Sequence, residues 1–179
     1  MTATDVRSTA NTDQPRLGQP VGPLILGGVF VFAVVAAFLL PQWGVLTPDT
    51  KPELYLNPAG MLGRELSAWR PGPFLGSPNY HPGIAPITAV VWGLQQIGLA
   101  PWASQRVLAI VLTLLASAGA WFLVRRLTGR SGMVPVVAGI AYAIHPYAVV
   151  AGATLPIRLP HAVLPWFVLA AVLALRGGG

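Results

Sequence analysis

An uncharged apolar run of twenty residues, Val21 to Leu40, constrains this chain more than any other feature. A helix rising about 1.5 Å per residue needs roughly 20 apolar residues to cross the hydrocarbon core, where backbone polar groups must be satisfied internally. The run has that length, and Pro41-Gln42-Trp43 behind it holds no small-x-small cleavage pattern. It is therefore expected to stay as a first span, residues 21–40, and not to be removed as a signal sequence. Composition agrees: the chain is 54% hydrophobic and only 9% charged, against roughly 25% charged residues in soluble domains.

Three more segments suit lipid. Val107 to Val124 is uncharged and bracketed by Arg106 and by Arg125-Arg126, predicting a second span over 106–124. Within it, Ala116-Ser117-Ala118-Gly119-Ala120 would let a neighbouring helix approach closely. Residues 132–150 predict a third span and 161–175 a fourth, which can extend backwards through Leu155 to Pro160. Residues 83–100 contain Pro86, Gln95 and Gln96. If they crossed, Arg125, Arg126 and Arg130 would face outside, against the bias of Lys and Arg toward the cytoplasm, so an interfacial helix on the outer face is expected instead. Trp69, Trp92 and Trp102 then fall on that interface.

The predicted fold is an all-α polytopic membrane protein with about four transmembrane helices. A disordered cytoplasmic tail, 1–20, leads in, since its Asp5, Arg7, Asp13 and Arg16 lie among few apolar residues. A long periplasmic loop, 41–105, follows the first span; a cytoplasmic basic loop, 125–131, and a periplasmic turn, 151–160, separate the others. Between the loop's prolines, Pro58 to Trp69 is expected to form one helix capped by Asn57. Residues 176–179 look like the start of a further cytoplasmic loop, so the chain is expected to be the N-terminal part of a larger protein in the plasma membrane.

Chemistry is narrowed by scarcity. The five acids are Asp5, Asp13, Asp49, Glu53 and Glu65, and the first two lie in the tail, so carboxylate work belongs between positions 49 and 65. Asp49 stands nine residues after the first span, in Asp49-Thr50-Lys51-Pro52-Glu53. A carboxylate tuned by partial burial can deprotonate a hydroxyl, and Lys51 can hold it ionised or pair with phosphate. Spacing alone leaves an ordinary solvated loop as the simpler alternative. His81 is a proton carrier, a ligand or a structural group. His145 and His161 flank the last turn and can meet with Arg158, whose guanidinium suits a lipid-linked phosphate or simply snorkels. Arg125, Arg126 and Arg130 fix orientation; the sharper alternative is a docking patch for anionic lipid or an acidic cytoplasmic protein.

Several classes are excluded. The formal charge of +6 comes from scattered Lys and Arg without a basic stripe, so no nucleic acid is expected as partner. The chain has no cysteine, which removes disulfides and thiolate metal sites. P-loop, dinucleotide, HExxH and Ser-His-Asp patterns are missing.

A span followed by an outer-face acid and a Pro-rich loop, then Gln105-Arg106-Val107-Leu108 opening the next span and Arg125-Arg126-Leu127-Thr128-Gly129-Arg130 closing it, resembles the GT-C membrane glycosyltransferases. Ala141-Tyr142-Ala143-Ile144-His145-Pro146-Tyr147 is similar to that superfamily's Tyr-x-x-x-Pro span end. Within it, Asp49 to Leu56, Asn79-Tyr80-His81-Pro82-Gly83 and Leu159 to Trp166 resemble the N-terminal region of the large actinobacterial alpha-(1→3)-arabinofuranosyltransferase family. The resemblance implies a partial GT-C fold and a donor of decaprenyl-phosphate arabinofuranose. It implies as acceptor an arabinan of arabinogalactan or lipoarabinomannan, in cell wall biogenesis. It also implies inversion at the anomeric carbon with Asp49 as general base. Lys51, Glu53, His81, Arg158 and His161 are the accompanying candidates for substrate binding. GT-C enzymes often carry a second acid in a later outer loop, whereas residues 154–160 offer Arg158 and no carboxylate. No metal ligand is assigned, and a divalent cation stays an open question. The rivals are a lipid-linked-sugar transporter or flippase segment, in which Asp49, His81 and Arg158 line a path, and a non-catalytic scaffold.

Overall fold

A computed structural model describes residues 21–70, 72, 75–79, 82–150 and 154–177. The expected tail, 1–20, and the candidate His81 lie outside the described residues. Helix α1, Val21–Leu39, presents Leu24, Ile25 and Phe32 outward and buries only Val34, as a helix solvated by lipid does. Its partner α5, Pro101–Thr128, has proline in its first turn, where the missing N–H costs nothing, and stops where Gly129 takes the left-handed conformation at φ +67°. With α8, Leu155–Gly177, these are the three helices among the described residues that are long and apolar enough to cross a membrane.

Between α5 and α8 the chain returns in two pieces, α6 at Met133–Ala143 and α7 at Pro146–Val150. The continuous span expected over 132–150 is therefore interrupted. The break falls where Pro146 follows His145, since a residue before proline is disfavoured in the helical region. The His145 ring then accepts from the Ala148 N–H at Nδ1 (3.2 Å), serving an amide that the break leaves without a helical partner. Two other boundaries move. α5 begins at Pro101, five residues before the expected start, because Gln105 and Arg106 find protein partners and need no water. α8 begins at Leu155, where a turn is expected from sequence, with Pro156 in its first turn and the amides of Ile157 and Arg158 closing on Thr154 O.

Small residues set the approach of the long helices. A Cβ on Gly119 would stand 2.7 Å from Trp166 Nε1, and one on Gly139 2.7 Å from the Ser117 carbonyl. Both glycines let neighbouring helices close on α5, and Trp166 uses the proximity to donate its indole N–H to Leu115 O (3.0 Å). α5 and α8 run side by side in the same direction, with α1 and α6 running against them.

The segment between α1 and α5 is folded. Helix α2, Glu53–Leu56, precedes α3, Pro58–Glu65, whose Asn57 cap accepts from the Gly60 N–H (3.0 Å) as its sequence position demands. The helix ends at Glu65, short of the expected Trp69. There Trp69–Arg70 (β1) pairs antiparallel with Ser77–Pro78 (β2). Gly76, at φ +83°, is required in this hairpin, since a Cβ would fall 2.2 Å from Arg70 O. Helix α4, Ala85–Gln96, has twelve residues, too few to cross a bilayer. Leu54, Tyr55, Met61, Val91, Leu108, Leu112, Ala116, Leu155 and Ala162 make one core, so the loop helices and the spans bury a common apolar face.

Candidate functional site

The site forms where the chain leaves α1, and α5 holds it there. Arg106, only 5% exposed, donates to Gln42 O at 2.6 Å and to Leu39 O and Val45 O at 3.4 Å, satisfying carbonyls that the end of α1 leaves open. Its guanidinium also lies 5.1 Å from the centre of the Trp102 ring. One residue earlier, the Gln105 amide binds Thr47 at both faces: it accepts from the Thr47 N–H (2.8 Å) and donates to Thr47 O (2.9 Å). That pair works like two rungs of a sheet and fixes the backbone two residues before Asp49.

Asp49 is half-buried, and both its oxygens are engaged. Oδ1 accepts from the Thr50 N–H (2.6 Å), the Thr50 hydroxyl (3.2 Å) and the Leu155 N–H (3.3 Å) in the first turn of α8. Oδ2 accepts from the Tyr55 hydroxyl (3.2 Å). Tyr55 is 2% exposed and is held from behind by Gln95 Nε2, which donates to its carbonyl (2.7 Å). Burial first, and then the Asp49 charge and hydrogen bond, push the Tyr55 phenol above its usual range, with Arg158 opposing. Tyr55 is thus a neutral donor toward Asp49 throughout the physiological range.

Asp49 lines two of three neighbouring spaces. A cavity of about 50 Å³ is shared by Asp49, Tyr55, Gln105, Arg106 and Arg158. An apolar groove of about 540 Å³ runs from Arg158 between α1 and the α6–α7 break, walled by Phe30, Val34, Ala37 and Ile144. A second groove, of about 460 Å³, opens on the other side of Asp49 and carries Thr50, Lys51 and Gly83. Arg158 packs its guanidinium 5.1 Å from the centre of the Phe38 ring and belongs to the first two spaces.

Of the sequence candidates, Asp49 shares one space with Arg158 and another with Lys51. His161 lies further down the apolar groove, stacked on Tyr142 with ring centres 4.3 Å apart, and meets the His145 ring edge-on at 4.9 Å. Glu53 turns away into an exposed ion pair with Arg64. Glu65 is buried and pairs with Arg70 at 2.8 Å. Among the described residues, no group of three or more His, Asp and Glu side chains is placed to hold a metal ion.

Three site residues escape the sequence reading: Tyr55, Gln105 and Arg106. Gln105 and Arg106 look there like the outer bracket of a span. Polar side chains at the head of an otherwise apolar helix are costly to leave unpaired, and that cost was the available signal. Tyr55 gave none, because a tyrosine six residues from an acid has no fixed geometry without a helix between them.

The arrangement can hold an anion at Arg158 and an apolar chain along α1, with a proton acceptor at Asp49 and Lys51 in the groove beyond it. Residues 33–178 match the family model for the N-terminal GT-C domain of alpha-(1->3)-arabinofuranosyltransferase. No curated protein and no solved structure matches the chain.

Proposed function

Because the chain belongs to the family of the N-terminal GT-C domain of alpha-(1->3)-arabinofuranosyltransferase, we propose that it moves arabinofuranose from a polyprenyl-phosphate donor to a cell-wall arabinan, with Asp49 as general base. The family makes it a protein related to membrane glycosyltransferases. One observation carries the proposal: Asp49 and Arg158 line a single cavity at the head of a long apolar groove.

The groove suits a polyprenyl chain. Arg158 at its head suits the phosphate, since a guanidinium forks onto phosphate oxygens and neutralises charge that grows as the leaving group departs. The acceptor enters by the second groove, past Lys51. Its hydroxyl gives its proton to Asp49 and its oxygen attacks the anomeric carbon. The bond from that carbon to the phosphate oxygen breaks on the opposite face, so the configuration inverts. Tyr55 and the Leu155 amide keep the carboxylate aimed. The bias of Lys and Arg toward the cytoplasm, applied to Arg125, Arg126 and Arg130, supports a periplasmic face for this chemistry.

The test is Asp49→Asn in the full-length membrane protein, assayed with a polyprenyl-phosphate arabinofuranose donor. Removing a general base lowers the rate by roughly a hundredfold to ten-thousandfold, with donor binding retained. Unchanged transfer would sink the assignment. Movement of the labelled lipid-linked sugar across the bilayer without a new glycosidic bond would favour the transporter alternative.

A further inference from the structure

At the end of the bundle away from Asp49, the closing turns of α5 and α8 leave a groove of about 510 Å³ between them. Its walls are Phe122, Leu169 and Leu173, and its rim carries Arg125, Arg126 and Gly129. Phe122 and Leu173 are 44% and 41% exposed, so the chain itself leaves the walls uncovered. A Cβ on Gly129 would meet nothing within 4 Å, so the rim is open as well.

The charge here has one sign. Arg125, Arg126, Arg130 and Arg176 gather at this end, and no Asp or Glu follows Glu65 in the sequence. Two of the four are already engaged. Arg176 donates from Nη1 to Arg126 O (3.1 Å), covering a carbonyl that the end of α5 leaves open, and the Arg125 guanidinium lies 5.2 Å from the centre of the Trp121 ring. The side chains of Arg126 and Arg130 have no hydrogen-bond or ion-pair partner among the described residues.

A soluble acidic partner would use the rim and leave the apolar walls bare. A zwitterionic lipid would fill the walls and bring a phosphate to the rim, but its ammonium group would leave the charge of the rim unneutralised. The geometry points to a site for an anionic phospholipid between the last turns of α5 and α8, its phosphate on Arg125 and Arg126 and an acyl chain along Phe122, Leu169 and Leu173. Basic pockets between transmembrane helices bind acidic headgroups on this principle. Exchange of Trp121 for phosphate by Arg125 is feasible, because a stacked guanidinium keeps its edge donors free.

The full chain, with Asp5 and Asp13 present as competitors, is titrated in detergent with phosphatidylglycerol or phosphatidylcholine, and retained lipid is counted by native mass spectrometry. Phosphatidylglycerol is expected to be retained over phosphatidylcholine. The double variant R125Q/R126Q lowers its retention roughly thirtyfold. Leu173→Trp, which fills the groove but keeps both arginines, also lowers it. Arg64→Gln, at the other end, leaves it unchanged. Equal retention of the two lipids, or a double variant that retains phosphatidylglycerol like the parent, would overturn the site. So would displacement by inorganic phosphate at matching concentration, which would make the rim a simple anion site. Tighter binding of polyglutamate than of phosphatidylglycerol would replace the lipid with an acidic protein.

Discussion

The two ends of the α5–α8 pair treat their polar groups in opposite ways. At the Asp49 end, Arg106 and Gln105 spend their hydrogen bonds on backbone, and Asp49 accepts four from within the chain. At the other end, Arg126 and Arg130 have no side-chain partner among the described residues. A polar group the fold satisfies is being positioned; a cation the fold leaves unmatched is offered to something outside it. The difference separates a proposed reaction centre from a proposed lipid seat without appeal to charge alone, since arginines dominate both.

The largest test of this contrast acts on the contact joining the two ends. Gly119→Leu drives a side chain into Trp166 and Pro165, whose atoms lie 2.7 and 3.0 Å from the added Cβ. Overpacking of that kind costs about 3 kcal/mol. A lowered melting temperature, with both sugar transfer and phosphatidylglycerol retention reduced, is the expected outcome. Loss at one end only would mean that the two ends do not depend on the α5–α8 contact.

A smaller effect sharpens the satisfied end alone. Tyr55→Phe removes the donor to Asp49 Oδ2 and should cost about 1.5 kcal/mol, the worth of a hydrogen bond to a charged group. The pH dependence has a fixed sign. The folded-state phenol titrates above its ordinary value near 10, so its contribution is fully present below that pH and declines as pH rises toward the folded value. Tyr55→Phe should flatten this alkaline limb in a pH series of thermal melts. An identical limb in both proteins would assign the titration elsewhere.

The least effect belongs to Glu53→Gln. Its pair with Arg64 is solvent-exposed on both sides, 42% and 55%, so no more than about 0.5 kcal/mol is expected. A large loss of transfer with little loss of stability would return Glu53 to the site from which its geometry removes it.

Much of this fold is legible from residues taken singly. The length of Val21–Leu39, the small residues around Gly119 and the Asn57 cap each act through local rules that a sequence carries openly. The spans that shift are those where proline and polar residues compete. Pro146 breaks the third, whereas Pro156 is absorbed into the first turn of α8, and nothing local distinguishes a proline that interrupts from one that opens a helix. Asp49 was visible as one of five acids, Lys51 as its neighbour in sequence and Arg158 as a cation near a span end. Glu53 was equally scarce and is not there, because α2 and α3 turn it toward Arg64. The hydrogen-bond partners Tyr55 and Leu155 are 6 and 106 positions from Asp49, and Gln105, which fixes Thr47, is 58 positions from that threonine, separations whose closure only tertiary packing decides.

The bond from the Leu155 amide to Asp49 Oδ1 spans 106 residues. During synthesis the carboxylate is made early, yet this contact waits until α5, α6 and α7 have been threaded and α8 has arrived. Until then Asp49 belongs to a loop that any nearby cation or water can claim. The aim of the proposed base is therefore an outcome of membrane assembly, acquired late and from the far side of the chain.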